Sequence, residues 1–276
     1  MPFSLLIVLA VFCLYNLVME VYISKSFIVP GRRKNPYDKP GWTQHDIGYG
    51  GKSLRVVINA QKQPSPLLIL IHGWRSSSAS VGDRGEWFVN RGWHVALIEL
   101  PSHGASDTVE MWTAYRSMQA IKAVCAQLGT IIPSETVTSA TYYGHSIGGF
   151  IGLRLLTDPD FHASGHNMEA LILESPMTMY SPILDEISDS LKVPSFLMDA
   201  YRKRLIDTFN STIPGGASFT SVEQFDLPKW GVPDVPVLCI QAEPDERLGM
   251  KHFLLLKNSY DNDAQRSLLT CHLLKG

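Results

Sequence analysis

The 276-residue chain lacks the features that mark several large classes of protein. It has only 4 cysteines, Cys13, Cys125, Cys239 and Cys271. They are too few and too scattered for a disulfide scaffold and read as free thiols packed as small hydrophobes. A bridge between Cys239 and Cys271 stays open, because their strands are candidate neighbours. No Cys or His pair has the spacing of metal ligands, so no metal is expected. No dinucleotide fingerprint appears either, so no such cofactor is expected. Neither sign of charge dominates: 24 Lys+Arg stand against 26 Asp+Glu, a formal charge of −2, which excludes a basic nucleic-acid binder on bulk electrostatics. Internal repeats and low-complexity tracts are missing. With 45% hydrophobic and 18% charged residues the chain is no solvated coil. Its length suits one large domain or two small ones, with a core burying roughly 75% of the unfolded surface.

What the chain does have is one long apolar run at its start. Phe3 to Ile23 is 21 residues in which only Ser4, Asn16 and Glu20 are strongly polar. As a helix it would span about 31 Å, the hydrocarbon thickness of a bilayer. A cleaved signal peptide would want a basic leading region, a shorter run and a small-x-small cleavage site. Met1 and Pro2 supply no charge, and no such site follows. The expectation is therefore a membrane anchor over residues 1–24, a single-pass helix, with a signal peptide and a buried core helix as rivals. Lys25, Arg32, Arg33, Lys34 and Lys39 follow it, a bias that would keep this flank on the cytoplasmic side and could touch anionic headgroups. Gly31, Pro36, Pro40 and Gly41 make residues 25–42 a linker.

From residue 43 onward, strand-length apolar runs alternate with longer helix-compatible stretches. Strands are expected at Leu54–Ala60, Leu67–Ile71, His94–Leu100, Ser139–Tyr143, Ala170–Leu173, Val237–Gln241 and Ser267–Cys271. Helices are expected at Asp83–Arg91, Val109–Leu128, Ile147–Thr157 and Leu248–Asn258. Tyr49-Gly50-Gly51-Lys52 suits a hairpin turn. The order predicts an α/β fold with a mostly parallel sheet covered by helices on both faces. In such sheets chemistry sits at the carboxyl ends of strands. Residues 175–236 break the rhythm with no clear core strand yet carry Met177, Met179, Phe196, Met198, Phe209, Phe225 and Trp230. A small inserted cap, or a helical crossover with a long loop, explains this stretch.

One turn points to nucleophilic chemistry. Gly144-His145-Ser146-Ile147-Gly148 follows an expected strand and precedes an apolar helix, the setting of a nucleophile elbow. The glycines have a mechanical reason: a sharp strand-to-helix turn crowds the backbone, and side chains two residues either side of the serine would clash. The helix then presents free N–H groups toward developing negative charge. The competing reading is a glycine-rich turn that serves only close packing.

Three blocks together make the chain resemble the α/β-hydrolase-fold serine hydrolases, in the esterase, lipase and monoacylglycerol-lipase-like branch. Ile71-His72-Gly73-Trp74 resembles the family's oxyanion loop. Glu99-Leu100-Pro101-Ser102-His103-Gly104-Ala105-Ser106-Asp107 resembles its D-x-P-G-H-G-x-S loop, departing at Glu99 and Ser102. The elbow is the third. The resemblance covers about residues 43–276 and is thinnest over the cap. It implies that Ser146 is the nucleophile and that the backbone N–H groups of Trp74 and Ile147 form the oxyanion hole. His103 would then be structural.

A serine hydroxyl needs a base, and the base needs a carboxylate. The family order is Ser, acid, His. Asp245, four residues past the strand Val237–Gln241, resembles the acid, with Glu243, Glu246 and Glu174 as rivals. His272 follows Ser267–Cys271 and lies 27 residues after Asp245, as the family base does. His252 is a lesser rival, while His162 and His166 precede the acid. The chain ends four residues after His272, where the family continues into a helix that steadies the histidine loop. A loosely held His272 would lower activity, since about 1 Å of misplacement costs on the order of 100-fold. The resemblance implies hydrolysis of carboxylic esters, lipid-like ones such as monoacylglycerols or lysophospholipids, without a cofactor. A thioesterase or amidase using the same residues, and a catalytically inactive binding or scaffold protein of the same fold, remain the alternatives.

Overall fold

The computed structural model describes residues 3–29, 33–213, 218–227, 229–260 and 263–275. Residues 30–32 of the expected linker, residues 1–2 of the expected anchor, and 214–217 and 228 of the expected cap lie outside them. In chain order the elements are α1 (Phe3–Ser26), β1 (Thr43–Tyr49), β2 (Lys52–Asn59), β3 (Ser65–Ile71), α2 (Gly82–Val89), β4 (His94–Ile98), α3 (Ala114–Gln127), β5 (Val137–His145), α4 (Ile147–Leu155), β6 (His162–Ala163), β7 (His166–Glu174), α5 (Ser181–Ser190), α6 (Met198–Ser211), β8 (Val237–Glu243), α7 (Met250–Ser259), α8 (Asp263–Arg266) and β9 (Leu269–Lys275). The chain divides into two units: Met1–Ile28 with Met179–Asp226, and Val29–Thr178 with Leu227–Gly276.

The larger unit is built on a sheet of order β1-β2-β4-β3-β5-β7-β8-β9, with the short β6 pairing β7. The β1–β2 and β2–β4 pairs are antiparallel, and every pair from β4–β3 to β8–β9 is parallel. Parallel strands in mid-sheet are covered on both faces, so they read as continuous apolar runs rather than alternating ones. In accord with that, Leu67 to Ile71 and Val95 to Ile98 are all fully buried. On one face Leu68, Leu70, Val95 and Leu97 pack with Tyr37, Val57, Val81 and Tyr143. The β1–β2 hairpin turns through Gly50 (φ +50°) and Gly51 (φ +77°), the two positive φ values of a tight two-residue turn. The helix expected from Val109 begins instead at Ala114, because the Thr113 hydroxyl accepts the Arg116 N–H and caps it there.

Register sets the level of each strand end. Ile71 lies opposite Gly144, His145 opposite Glu174, Glu174 opposite Ile240, and Ile240 opposite His272. The expected last strand, Ser267–Cys271, is displaced toward the chain end as β9, Leu269–Lys275. Polar or exposed residues suggest a strand end only where both faces are covered. The outermost strand has one neighbour and tolerates them along its length. Cys239 and Cys271 are opposite one another on β8 and β9, and both are free thiols.

The smaller unit contains α1, α5 and α6, with no strand among its described residues. Phe225 centres an aromatic cluster, its ring centroid 4.5 Å from Phe209, 4.6 Å from Phe219 and 5.8 Å from Tyr180. These limits differ from an anchor of 1–24 standing apart from a cap of 175–236. The reason is contact: Met19 and Ile23 of α1 are buried, and α1 packs on α6.

Candidate active site

Ser146 sits between β5 and α4 with φ +53° and ψ −114°, a left-handed conformation that a non-glycine residue adopts only where its surroundings over-determine it. The surroundings are backbone. A Cβ on Gly144 would lie 2.5 Å from Gly148 main-chain atoms, and one on Gly148 would lie 2.6 Å from the Ile71 carbonyl oxygen. The Ser146 N–H donates to the Glu174 carbonyl (3.0 Å), its own carbonyl accepts from Met177 N–H (3.1 Å), and the Tyr142 hydroxyl donates to the Gly148 carbonyl (3.0 Å). The turn is therefore pinned from β3, β5 and β7. Among the described residues, the Ser146 hydroxyl has no hydrogen-bond partner.

The loop after β3 abuts this turn. A Cβ on Gly73 would lie 2.9 Å from His145 Nδ1 and 3.4 Å from the Ser146 Cβ. Trp74, next in sequence, packs edge-on to Trp112 (4.6 Å between centroids) and His103 (5.1 Å). Among the described residues neither the Trp74 nor the Ile147 backbone N–H has an acceptor. The loop that carries the Trp74 N–H thus lies against the turn that carries Ser146 and Ile147.

The histidines of these loops are structural. His72 is fully buried; its Nδ1 donates to the Gly73 carbonyl (2.7 Å) and its Nε2 accepts from Leu100 N–H (3.1 Å). Burial pushes its pKa down to about 3, so the ring is neutral. His103, with Nδ1 on the Pro101 carbonyl at 2.9 Å, is held down to about 4 for the same reason. The two departures from the resembling loop also have explanations. Glu99 is fully buried: one oxygen accepts Ser78 N–H (2.9 Å) and hydroxyl (2.7 Å), the other Ala105 N–H (2.6 Å). Its pKa is raised by burial, against the opposing pull of these bonds. It ties the β4 end to two loops, a role that sequence reasoning missed; an acid directly after a buried strand was the available signal. Ser102 takes the left-handed region, φ +63°, where glycine is at home.

Of the carboxylates, Glu174 is bound in a fork by Arg84, whose Nε donates at 2.6 Å and Nη2 to the second oxygen, and it accepts the Tyr143 hydroxyl at 2.6 Å. Burial raises its pKa, but Arg84 and Tyr143 outweigh that and the net shift is downward. Asp245 lies two residues beyond β8. One oxygen accepts Arg247 N–H (3.0 Å) and Leu248 N–H (2.8 Å), the other the Gln241 side-chain amide (2.9 Å). Burial pulls upward here too, and the hydrogen bonds from Leu248, Gln241 and Arg247 hold the carboxyl below its ordinary range. Its charge is felt at His145, the residue before the nucleophile.

His272 departs from expectation. It was expected just beyond the last strand. It is instead the fourth residue of β9, exposed, and opposite Ile240. That is the sheet level of His145 but three strands away, about 14 Å at ~4.8 Å per strand. Among the described residues it has no hydrogen bond to Ser146 or Asp245. His252 is buried on α7, where its Nδ1 accepts Thr178 N–H at 2.9 Å. The structure brings Trp74, Ser146 and Ile147 together, sets Asp245 within electrostatic reach, and leaves His272 apart.

A parallel-centred sheet with antiparallel leading strands, and a strained serine between the fifth strand and an apolar helix, define an α/β hydrolase. Residues 62–213, more than half of the chain, match the family model described as serine aminopeptidase, S33, and the chain belongs to that family. No curated protein matches. Solved structures share the fold at low identity. An esterase of Pyrococcus furiosus, Pf2001, is 15% identical with TM-score 0.60, covering 90% of this chain and 87% of its own. Est1E from Butyrivibrio proteoclasticus is 18% identical with TM-score 0.55, covering 84% and 88%. The thioesterase domain from the curacin biosynthetic pathway is 14% identical with TM-score 0.52, covering 85% and 93%.

Proposed function

We propose that the protein hydrolyses carboxylic esters through an acyl-enzyme on Ser146, with lipid-like acyl esters as its substrate class and attachment to a membrane through α1. The observation that carries this reading is the strained turn at Ser146, whose hydroxyl has no hydrogen-bond partner among the described residues, with the Gly73–Trp74 loop against it. The hydroxyl oxygen attacks the acyl carbon, and the carbonyl oxygen takes the negative charge. The Trp74 and Ile147 N–H groups stabilise that charge, a contribution of a few kcal/mol per donor. The hydroxyl proton passes to a base as the Ser146 C–O bond forms. It is handed to the departing oxygen as the ester C–O bond breaks, so that an alcohol leaves. Water then cleaves the acyl-serine, releasing the acid and restoring the hydroxyl. Asp245, ionised at neutral pH, is the carboxylate for an imidazolium. For His272 to be the base, β9 must part from β8 so that the ring reaches Ser146 from a backbone position three strands away. The apolar first helix and the phenylalanine cluster of the smaller unit support acyl chains as the substrate.

A fluorophosphonate probe tests the reading: wild type labels at Ser146, and Ser146→Ala does not. A panel of p-nitrophenyl esters of rising chain length, set beside thioesters and an aminoacyl amide, then sorts the substrate class. The exposed His272, away from Ser146, favours one second reading, a fold kept for binding without catalysis. A folded wild-type protein that fails to label establishes that reading and rejects the first.

A further inference from the structure

The first helix is two different surfaces end to end. From Phe3 to Leu14 every residue is exposed, and the segment FSLLIVLAVFCL carries no charge. Its large apolar side chains stand bare on all sides of the helix, from 47% exposed at Leu5 to 78% at Phe3. From residue 15 onward one face is occupied. Asn16, Met19, Glu20, Ile23 and Ser26 recur at the three- and four-residue spacing of a helix stripe. Met19 and Ile23 are buried. The Arg204 guanidinium of α6 donates to Asn16 Oδ1 at 2.5 Å, lies 3.6 Å from Glu20 Oε1, and sits 5.3 Å from the Tyr15 ring centre. The Ser26 and Tyr201 hydroxyls are hydrogen-bonded at 2.7 Å. The polar residues that interrupt the apolar run thus hold α1 against α6 within the smaller unit.

The two surfaces ask for different surroundings. A protein groove covers one stripe of a helix, whereas a helix apolar on its whole circumference must be surrounded. Acyl chains do that. Twelve residues rise about 18 Å, little more than half of the roughly 30 Å hydrocarbon core. A paired Arg204 and Glu20 would be costly inside that core, and Tyr15 is an interfacial residue type.

We propose that α1 penetrates one leaflet rather than spanning the bilayer: residues 3–14 enter the acyl chains, Tyr15 and the Asn16–Glu20–Arg204 cluster stop at headgroup level, and α6 is thereby held on the membrane surface. This rests on reading α1 as a membrane segment, and it replaces the single-pass expectation with a monotopic one.

The test uses the full chain in sealed phosphatidylcholine liposomes, with Ser4→Cys as the reporter and Cys13→Ser and Cys271→Ser removing background thiols. Co-sedimentation at high salt checks membrane attachment by itself. Failure to sediment, or a mass lacking residues 1–24, removes the membrane reading and this inference with it. Given sedimentation, a membrane-impermeant maleimide is expected to label the position-4 thiol at least tenfold more slowly in liposomes than in detergent, from either face. A bimane attached there is expected to be quenched by lipids brominated deep in the acyl chain. Rapid labelling from the face opposite the catalytic unit means a spanning helix and overturns the proposal while leaving attachment intact. Arg204→Gln tests the clamp: sedimentation is retained, and amide exchange across 198–211 rises at least tenfold. Unchanged exchange there overturns the role given to Arg204.

Discussion

Around Ser146 backbone is pressed on backbone. Gly144 and Gly148 let backbone approach backbone more closely than a Cβ would permit, Gly73 does the same against the His145 ring, and hydrogen bonds with Tyr142, Glu174 and Met177 hold the turn. Around His272, among the described residues, there is a ladder on one side only, and His272, Leu273 and Leu274 are exposed. One sheet therefore carries a serine turn held by close backbone contacts and, among the described residues, an edge strand paired to a single partner. The difference teaches where this fold puts its precision. Displacing the serine means unpacking β3, β5 and α4 together, while displacing the edge strand costs only the β8–β9 pairing and little burial.

The most direct way to break that comparison is at its fixed end. Ser146→Ala is expected to reduce fluorophosphonate labelling about 1,000-fold or more, read by gel fluorescence against a folded control. Next comes Gly148→Ala, whose Cβ would meet the Ile71 and His72 carbonyl oxygens at 2.6 and 3.0 Å. Backbone atoms cannot rotate aside, so overpacking is expected to cost about 3 kcal/mol in urea unfolding and to slow labelling. Glu174→Gln removes the charge that Arg84 and Tyr143 address. Breaking one member of a buried pair costs 3–5 kcal/mol; Arg84 is 39% exposed, so about 2 kcal/mol is expected here, by the same measurement.

The parts of the molecule that were legible in the sequence are those where local chemistry forces the structure. Buried parallel strands must be continuous apolar runs, so Leu67–Ile71 and the core of β4 were readable. The elbow was readable because its glycines answer a packing demand. What was not readable depended on neighbours far along the chain. Nothing in the hydropathy of β9 says that it is an edge strand, and its end was therefore set too early, at Cys271. Glu99 shows its purpose only when the Ser78 and Ala105 loops lie against it. Asn16 and Glu20 are four residues apart, a visible stripe, but its partner Arg204 is 188 residues beyond Asn16, and hydropathy alone pointed to a plain anchor.

Asp245 lies between the two extremes, and its effect depends on pH. Its carboxylate holds the Arg247 and Leu248 N–H groups and the Gln241 amide, and its pKa is lower in the folded protein than the ordinary value. A group depressed on folding contributes stability that is present above its unfolded pKa, near 4, and is lost as pH falls through the folded pKa. Asp245→Ala is therefore expected to cost about 1–2 kcal/mol at pH 7, as hydrogen bonds to a partly exposed charge do. The gap between variant and wild type should shrink as the pH is taken from 5 to 2. A gap independent of pH in paired urea titrations would mean that the ionised carboxylate is not what holds the turn.

The smallest effect is expected at the loose end, and it sharpens the comparison most. With β9 paired to β8, the His272 ring is exposed and without a hydrogen bond to the other site residues, and surface substitutions of that kind change stability by under about 0.5 kcal/mol. His272→Ala should then alter the rate of probe labelling less than about twofold if β9 keeps that pairing throughout turnover, since its backbone is held three strands from Ser146. A loss as deep as that of Ser146→Ala, in a protein whose urea midpoint is unchanged, would mean that β9 leaves the sheet during turnover. The edge strand would then be the moving part of the catalytic centre, and tethering it through a Cys239–Cys271 disulfide should suppress labelling in wild type and release it on reduction.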